Sequence, residues 1–431
     1  MFSTRTIEKI IEQQVNPEFK EWDGKTSGHQ IGNYKLIKQL GQGSFGFTWQ
    51  AIHLSTRKFV CVKVLKKSTI NSKVSNIRYL LELSLLKKFN NLFIGRFYQH
   101  IEDTTYHYFC TEFLPNGDFL NYIKCNGSLC EDKARYYFTQ LIFALEYLHN
   151  NQKIAHRNLK FENIVLDEYF NLRIIDFGLS NIFSIENPNF LTSIGSPPYV
   201  VPEVIKGESY NQSADILFAG VFLYTILFPF KDQENIELFN NITDNNLKSE
   251  NSTFLTPNII DLLSKLLCKD SSQRITLEEI KEHPWFSKSE YENIKQNSQF
   301  LMKSGIKTDR KVFIDHDIVE QMHKLNINFT MKSLFQSLWN EEFNDISVSY
   351  HILAREKFNQ TIKNFSEKVD LSSQNQHLMI YYSHQFQDIK EENCRVPRIL
   401  TPIYDGPIVS MIKPHHPKFI EPPLFLNKSN K

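Results

Sequence analysis

Eight residues, His156-Arg157-Asn158-Leu159-Lys160-Phe161-Glu162-Asn163, constrain the reading of this 431-residue chain more than any others. Thirteen residues beyond Asn163, Asp176-Phe177-Gly178 follows the short run Leu172-Arg173-Ile174-Ile175. A carboxylate at the end of such a strand suits a metal ion. Position 158 carries an amide, which can orient a hydroxyl but cannot take its proton.

Upstream, Gly41-Gln42-Gly43-Ser44-Phe45-Gly46 lies between two β-type segments, where positions without side chains let the backbone approach phosphates closely. A dinucleotide-binding βαβ turn has similar glycines, but it opens a helix. Here Phe47-Thr48-Trp49-Gln50-Ala51 continues as strand. Seventeen residues after Gly46, Lys63 ends the run Phe59-Val60-Cys61-Val62, whose alternation points Lys63 and Cys61 to one face. Glu82 falls on the helical pattern that follows, placed to hold Lys63 over phosphates through an ion pair.

A net charge of +1 offers no field to attract nucleic acid or an anionic membrane, and neither partner is expected. Cys61, Cys110, Cys125, Cys130, Cys268 and Cys394 show neither the paired spacing of a zinc site nor a disulfide framework. The expected compartment is reducing and intracellular: cytoplasmic, with the nucleus also open. Met1 to Val15 carries charges throughout, unlike a secretory signal. The longest apolar run, Phe218 to Phe230, falls short of the ~20 residues a bilayer requires and reads as a buried helix.

Up to about Gly32 the chain reads as a polar arm. From Tyr34 to about Leu65, β-type segments alternate with turns, and Ser75 to Phe89 is helical, with Ile77, Leu80, Leu81 and Leu85 expected to face inward. Residues 117–286 read mostly as helices broken by short strands such as Ile164-Val165-Leu166. Three apolar-periodic segments, Asp315 to Lys324, Thr330 to Asn340 and Asp345 to Phe358, predict a compact three-helix module. Seven of the sixteen prolines fall between Pro397 and Pro423, which argues for an extended, partly ordered tail. The expected units are an arm (1–32), a two-lobed domain (33–286, lobes 33–114 and 115–286), a helical module (312–359) and a Pro-rich tail (360–431).

In this order and at these separations the motifs resemble a Ser/Thr protein kinase over about Tyr34 to Phe286. The segment Leu191-Thr192-Ser193-Ile194-Gly195-Ser196-Pro197 is most similar to the AMP-activated and sucrose-non-fermenting-type kinases. The resemblance implies an α+β, bilobal protein-kinase fold, with a small antiparallel-sheet N-lobe and a large helical C-lobe. It implies ATP and Mg²⁺ as cofactors and Ser/Thr side chains of proteins as substrates. Leu40, Gly41, Gly43, Gly46, Thr48, Cys61 and Val165 would line the nucleotide site, with Thr111 as gatekeeper beside adenine and Glu112 and Phe113 as hinge. Asp118 would bond the ribose, and Lys63, paired with Glu82, would hold the phosphates. Asn163 and Asp176 would hold Mg²⁺, while Lys160 would neutralise the γ-phosphate and steady the incoming hydroxyl. Leu86, Phe97, Phe177 and His156 would stack into an internal column standing on Asp215, an acid that opens an apolar run and needs partners if buried. Glu203 would pair with Arg274. Thr192 would be the activation-loop threonine for an upstream kinase, its phosphate received by Arg157 and Arg78.

The departures carry equal weight. Asn158 stands where the family places its catalytic carboxylate, Phe161 where it has proline, Thr48 valine, Cys61 alanine and Leu217 tryptophan. Thr48 and Cys61 change polarity and volume modestly and adjust nucleotide affinity. Losing general-base assistance costs about 10²–10⁴-fold in rate, so weak turnover is expected at a site where Asn158, Lys160 and Lys63 carry catalysis. The alternative is a pseudokinase, a nucleotide-binding module that signals by conformation. Asp315-His316-Asp317-Ile318-Val319-Glu320 through Tyr350-His351-Ile352-Leu353 resembles the ubiquitin-associated-like autoinhibitory domain of AMP-activated-type kinases; a plain helical cap on the large lobe is the other reading. No segment resembles the C-terminal α/β domain through which such subunits join regulatory subunits, so heterotrimer assembly is not expected.

Overall fold

A computed structural model describes residues 26–43, 46–70, 73–178, 180–182, 211–228, 255–302, 307–308 and 311–372. Ser44, Phe45, Thr192, Glu203 and the Pro-rich stretch lie outside the described residues.

Strands β1 (Gln30–Ile31), β2 (Tyr34–Gly43), β3 (Gly46–His53), β4 (Lys58–Lys66), β5 (Phe97–Glu102) and β6 (Tyr106–Glu112) form one antiparallel sheet in the order β1-β2-β3-β4-β6-β5. The sheet begins two residues inside the expected arm, because Gln30 and Ile31 pair with Lys35 and Tyr34. Val60, Val62 and Val64 are buried on one face of β4, while Cys61 and Lys63 open onto the other, as the alternation predicts. Register shifts between Leu36 and Lys38 and between Gln39 and Gly41 interrupt the ladder of the glycine-rich strand, as β-bulges do. Gly46 has a packing reason of its own: a Cβ there would lie 1.8 Å from the Val64 carbonyl oxygen.

Helix α1 (Lys73–Lys88) covers the sheet with a face different from the one expected. Tyr79, Glu82 and Leu85 are buried, whereas Ile77 and Leu80 are 57% and 55% exposed. Apolar residues occupy both sides of this helix, and its buried side includes an acid. Counting apolar positions alone therefore rotates the phase.

The larger lobe is built on α2 (Phe119–Asn126), α3 (Glu131–Glu146), α4 (Ser213–Leu227), α5 (Pro257–Leu266), α6 (Leu277–Glu282) and α7 (Lys288–Met302). Short strands β7 (Ile154–Ala155), β8 (Ile164–Leu166), β9 (Leu172–Ile174) and β10 (Asn181–Ile182) lie between α3 and α4 in sequence, β8 pairing β9 and β7 pairing β10. Helix α4 is apolar nearly all round and runs through the core, which is why it reads as one long hydrophobic segment. Phe161, in place of the expected proline, stacks on Phe222 at 5.6 Å and meets Phe218 edge-on at 5.8 Å. The departure at 161 is thus filled with core.

After β11 (Lys307–Thr308) and β12 (Lys311–Val312) come α8 (His316–Lys324), α9 (Met331–Trp339) and α10 (Asp345–Ser372). The first two begin where Asp315 and Thr330 cap backbone N–H groups. The third continues thirteen residues past the boundary expected at Asn359. Ile318, Met322, Leu334, Leu338, Tyr350 and Leu353 form the module's core. Val348 and Ile352 belong instead to the small-lobe cluster that includes Val60, Val62 and Tyr98, so the module is not a cap confined to the large lobe. Among the described residues no helix is long and apolar enough to cross a membrane.

Candidate functional site

The cleft between the lobes collects the chemistry. On β4, Lys63 Nζ lies 2.9 Å from Glu82 Oε1 on α1 and 4.0 Å from Asp176 Oδ1 beyond β9. Burial alone would depress the Lys63 ammonium, but Glu82 and Asp176 outweigh it and raise its pKa, keeping the charge in place. Burial likewise works against the Asp176 carboxylate, which Lys63, His156 and Lys160 nonetheless hold below its usual range. The Asp176 backbone sits at φ +62°, a conformation uncommon outside glycine.

The loop 156–163 is anchored from below. Asp215, buried at the start of α4, accepts from the backbone N–H groups of His156 (2.8 Å) and Arg157 (3.0 Å) and faces His149 Nε2 at 2.8 Å. Burial would raise its pKa; these bonds hold it low. This answers the demand for partners that an acid in an apolar run creates. Arg157 takes φ +63°, and beside it the His156 ring packs at a tilt against Phe177, centroids 4.8 Å apart. Phe89 also meets Phe177, at 4.5 Å, and Leu86 packs against both the large-lobe core and the cluster containing Phe97. His156, Phe177 and Phe89 are thus in ring contact above Asp215, while Leu86 and Phe97 share a hydrophobic cluster, as ordinary core residues do.

Asn158 is 9% exposed, and its carbonyl oxygen accepts from Asn163 Nδ2 at 2.9 Å. With that nitrogen committed, Oδ1 is the atom Asn163 has for a cation. Asn163 Oδ1 and the Asp176 carboxylate are hard oxygen donors of the kind Mg²⁺ prefers, with a cation, Lys63, beside them for phosphate. The residues present fit a magnesium nucleotide.

On the roof, Thr48 is the cross-strand partner of Lys63, and Cys61 that of Thr111, which gathers these four on one face. Burial pushes the Cys61 thiol up to about 11. Leu40 and Gly41 lie on β2, with Gly41 opposite Thr48. Val165 bridges Asp118 from below. Asp118 itself is the N-cap of α2, accepting from Asn121 N at 2.9 Å and Asn121 Nδ2 at 2.6 Å, so a large part of its hydrogen-bonding capacity is spent locally. Phe113 lies 6.0 Å from Phe59.

Glu112 departs from a simple hinge residue, because its side chain points away from the cleft. Its carboxylate is buried among Arg355 of α10, Arg173 of β9 and Asn359 of α10. Sequence reasoning missed Arg355, Asn359, Arg173 and Asp167 as members of this site. One signal was available: Arg173 interrupts an apolar strand and is fully buried, so it required acidic partners, which are Asp167 at 2.6 Å and Glu112 at 3.5 Å.

Of the remaining expectations, Arg274 is buried and donates to the carbonyls of Cys268 and Ser213, while its expected partner Glu203 lies outside the described residues. Arg78 is exposed on α1.

A cleft with a lysine–glutamate pair under a glycine-rich strand, and two metal-ready oxygen donors beside an anchored loop, defines a phosphotransferase-type nucleotide site. Residues 34–286 match the protein kinase domain. This chain belongs to the protein kinase family. It is 34% identical over 344 residues to the SNF1-related protein kinase catalytic subunit alpha KIN12 of Arabidopsis thaliana, covering 78% of this chain and 66% of that one. It is 34% identical to the carbon catabolite-derepressing protein kinase of Candida glabrata (77% and 55% covered) and 33% identical to that of Saccharomyces cerevisiae (77% and 54%). The chain thus spans between about half and two thirds of the length of these curated relatives.

Proposed function

We propose that this chain is a serine/threonine protein kinase that transfers the γ-phosphoryl group of Mg·ATP to protein hydroxyls, at a rate held down by Asn158. One observation carries the reading: Lys63 is paired with Glu82 and close to Asp176, above a loop fixed by Asp215. Phosphoryl transfer draws most of its rate from positioning and electrostatics, which these residues supply, and its proton transfer comes late. Bound Mg·ATP supplies the phosphoryl group and the metal charge. Gly41, Gly43 and Gly46 offer the backbone that borders the phosphates, Lys63 the cation, Asn163 and Asp176 the metal ligands. Leu40, Thr48, Cys61, Thr111, Phe113 and Val165 surround the base together with the backbone of Glu112, and Asp118 offers its remaining lone pairs to the ribose. Lys160 steadies the hydroxyl that Asn158 orients without deprotonating. Phosphorylation of Thr192 by an upstream kinase is part of the same proposal.

Asn158 itself favours a second reading, a pseudokinase whose nucleotide holds its lobes closed. Thermal-shift titration and transfer to a generic serine peptide separate the two. Mg²⁺-dependent stabilisation by ATP that is lost in Lys63→Met and Asp176→Ala, together with slow measurable transfer, is the expected result. Stabilisation without any transfer would favour the pseudokinase, and no Mg²⁺-dependent stabilisation would remove the nucleotide site altogether.

A further inference from the structure

Where α1 meets β5 and β6, three polar side chains from three elements converge. Tyr79 Oη of α1 lies 2.9 Å from His100 Nε2 of β5 and 3.1 Å from His107 Nδ1 of β6, and the two ring nitrogens lie 3.3 Å from each other. Strand pairing sets this up: His100 stands opposite Phe109 and Glu102 opposite His107, so the two histidines are diagonal neighbours on one face. The Tyr79 ring packs at a tilt on His107, centroids 4.5 Å apart, and edge-on against Phe109 at 5.7 Å, which also meets His100 at 5.4 Å. The group thus has an aromatic floor. At its exposed side Glu102 Oε2 lies 3.4 Å from His107 Nδ1 and 2.9 Å from Lys67 Nζ.

Donor atoms bound to one ion at about 2.0–2.1 Å stand roughly 2.9 Å apart at a right angle and roughly 3.3–3.4 Å apart at the tetrahedral angle. The three separations fall in that window. Hydrogen bonding accounts for the two distances to tyrosine; the approach of both rings to each other as well is what a shared ion requires. Both imidazoles are held neutral, the form that ligates metals. Burial lowers His100 to about 4, with His107, Lys87 and Lys67 adding to it against Glu102. Burial and then Lys67 lower His107, against Glu102 and Asp103. Burial and then Glu102 push the Tyr79 hydroxyl up to about 12, and a divalent charge beside it reverses that, sending the phenolic proton to solvent. No three His, Cys, Asp or Glu side chains come together as a metal cluster among the described residues, so the third donor here is the tyrosine oxygen. Two imidazoles and a phenolic oxygen suit Zn²⁺ or Cu²⁺, not Mg²⁺ or Ca²⁺.

We propose that Tyr79, His100 and His107 form a binding site for a divalent transition-metal ion of the Zn²⁺ or Cu²⁺ type, with solvent completing the coordination on the side where Glu102 stands. Because its ligands come from α1, β5 and β6, the bound ion clamps the helix to the sheet, three residues before Glu82. It shares no ligand with the Mg·ATP site, so it stands or falls apart from the nucleotide reading.

The test uses the full chain, stripped with chelator and titrated calorimetrically with ZnCl₂ in excess Mg²⁺, which keeps the oxygen donors of the cleft out of the readout. One ion should bind. His100→Ala and His107→Ala should each weaken it by about tenfold or more, since even the outer-shell partners of a metal ligand are worth about 10–100-fold. Tyr79→Phe, which keeps the ring on Phe109, should weaken it by about threefold or more, and it decides if the histidine variants fail to fold. Cys125→Ser with Cys130→Ser, which removes two exposed thiols, should match wild type. Zn²⁺ should also slow hydrogen exchange across residues 73–88 by about tenfold in wild type and not in His107→Ala. Wild-type protein that takes up no Zn²⁺ overturns the proposal. So does an affinity unchanged in Tyr79→Phe and both histidine variants, which means an adventitious ion only. Binding that leaves exchange of α1 as it was overturns the clamp.

Discussion

Restoring a carboxylate at position 158 is the sharpest perturbation the site allows. Asparagine and aspartate are isosteric, and the loop around Asn158 is fixed by bonds that do not involve its side chain: Asp215 holds His156 and Arg157, and Asn163 Nδ2 donates to the Asn158 carbonyl. The exchange should leave the backbone in place, so the rate change isolates proton transfer. General-base assistance is worth about 10²–10⁴-fold, or ~3–5 kcal/mol of barrier. A carboxylate here would be largely desolvated, which raises its pKa and strengthens it as a base. We expect Asn158→Asp to raise phosphotransfer to a serine peptide by about 10²-fold or more at saturating Mg·ATP. Nucleotide affinity should stay within about twofold, since the base acts on the hydroxyl and not on ATP. Single-turnover transfer measured beside calorimetric ATP binding makes the comparison. Equal rates in the two proteins would refute the view that position 158 limits chemistry, and transfer in neither would favour the pseudokinase.

Other sites give independent checks. Burial pushes the Glu290 carboxyl up to about 7, Arg135 opposing, and one of its oxygens is buried without a hydrogen bond. A raised folded-state value means that the folded protein keeps a proton the unfolded chain releases, so stability falls as pH rises from the ordinary carboxylate range towards 7. Glu290→Gln should therefore raise Tm at pH 8 and change it little at pH 4; an equal gain at both would count against the assignment. Phe161→Ala should destabilise by about 3–5 kcal/mol in urea unfolding, because the ring is buried between Phe218 and Phe222. A loss below about 1 kcal/mol would mean that this core collapses around the gap. Ile77→Ser with Leu80→Ser should stay within about 1 kcal/mol of wild type, as exposed positions do, whereas a core-sized loss would restore the inward phase expected from sequence.

Motifs with fixed chemistry at fixed spacing were legible before any fold was known. Lys63, Glu82, Asn163 and Asp176 meet because the order of strand, helix, loop and strand that the sequence suggests leaves their side chains one cleft to share. The module's helices were legible through their caps, since Asp315 and Thr330 satisfy the N–H groups that any helix start leaves open. What failed was orientation. On α1 an acid belongs to the buried face and two aliphatic residues do not, so the hydrophobic count misplaced the face by part of a turn. At Asp118 the helix-capping role was missed, although an acid just before a helical run is a common cap.

The hinge network marks a different limit. A charge inside an apolar run shows that a partner must exist, and both Asp215 and Arg173 declared that need in the sequence. For Asp215 the partners are backbone groups of the loop, which the order of the motifs already brought near. For Arg173 and Glu112 the network closes through Arg355, 243 residues away from Glu112 along the chain. Arg355 lies on a helix with many other charged residues, so neither period nor composition singles it out. Its identity as a buried, bidentate partner is fixed only by how Val348 and Ile352 seat α10 on the small lobe. The apolar contacts of the helix aim its arginine at the buried Glu112 carboxylate, a partner that no local pattern in the sequence could have paired with it.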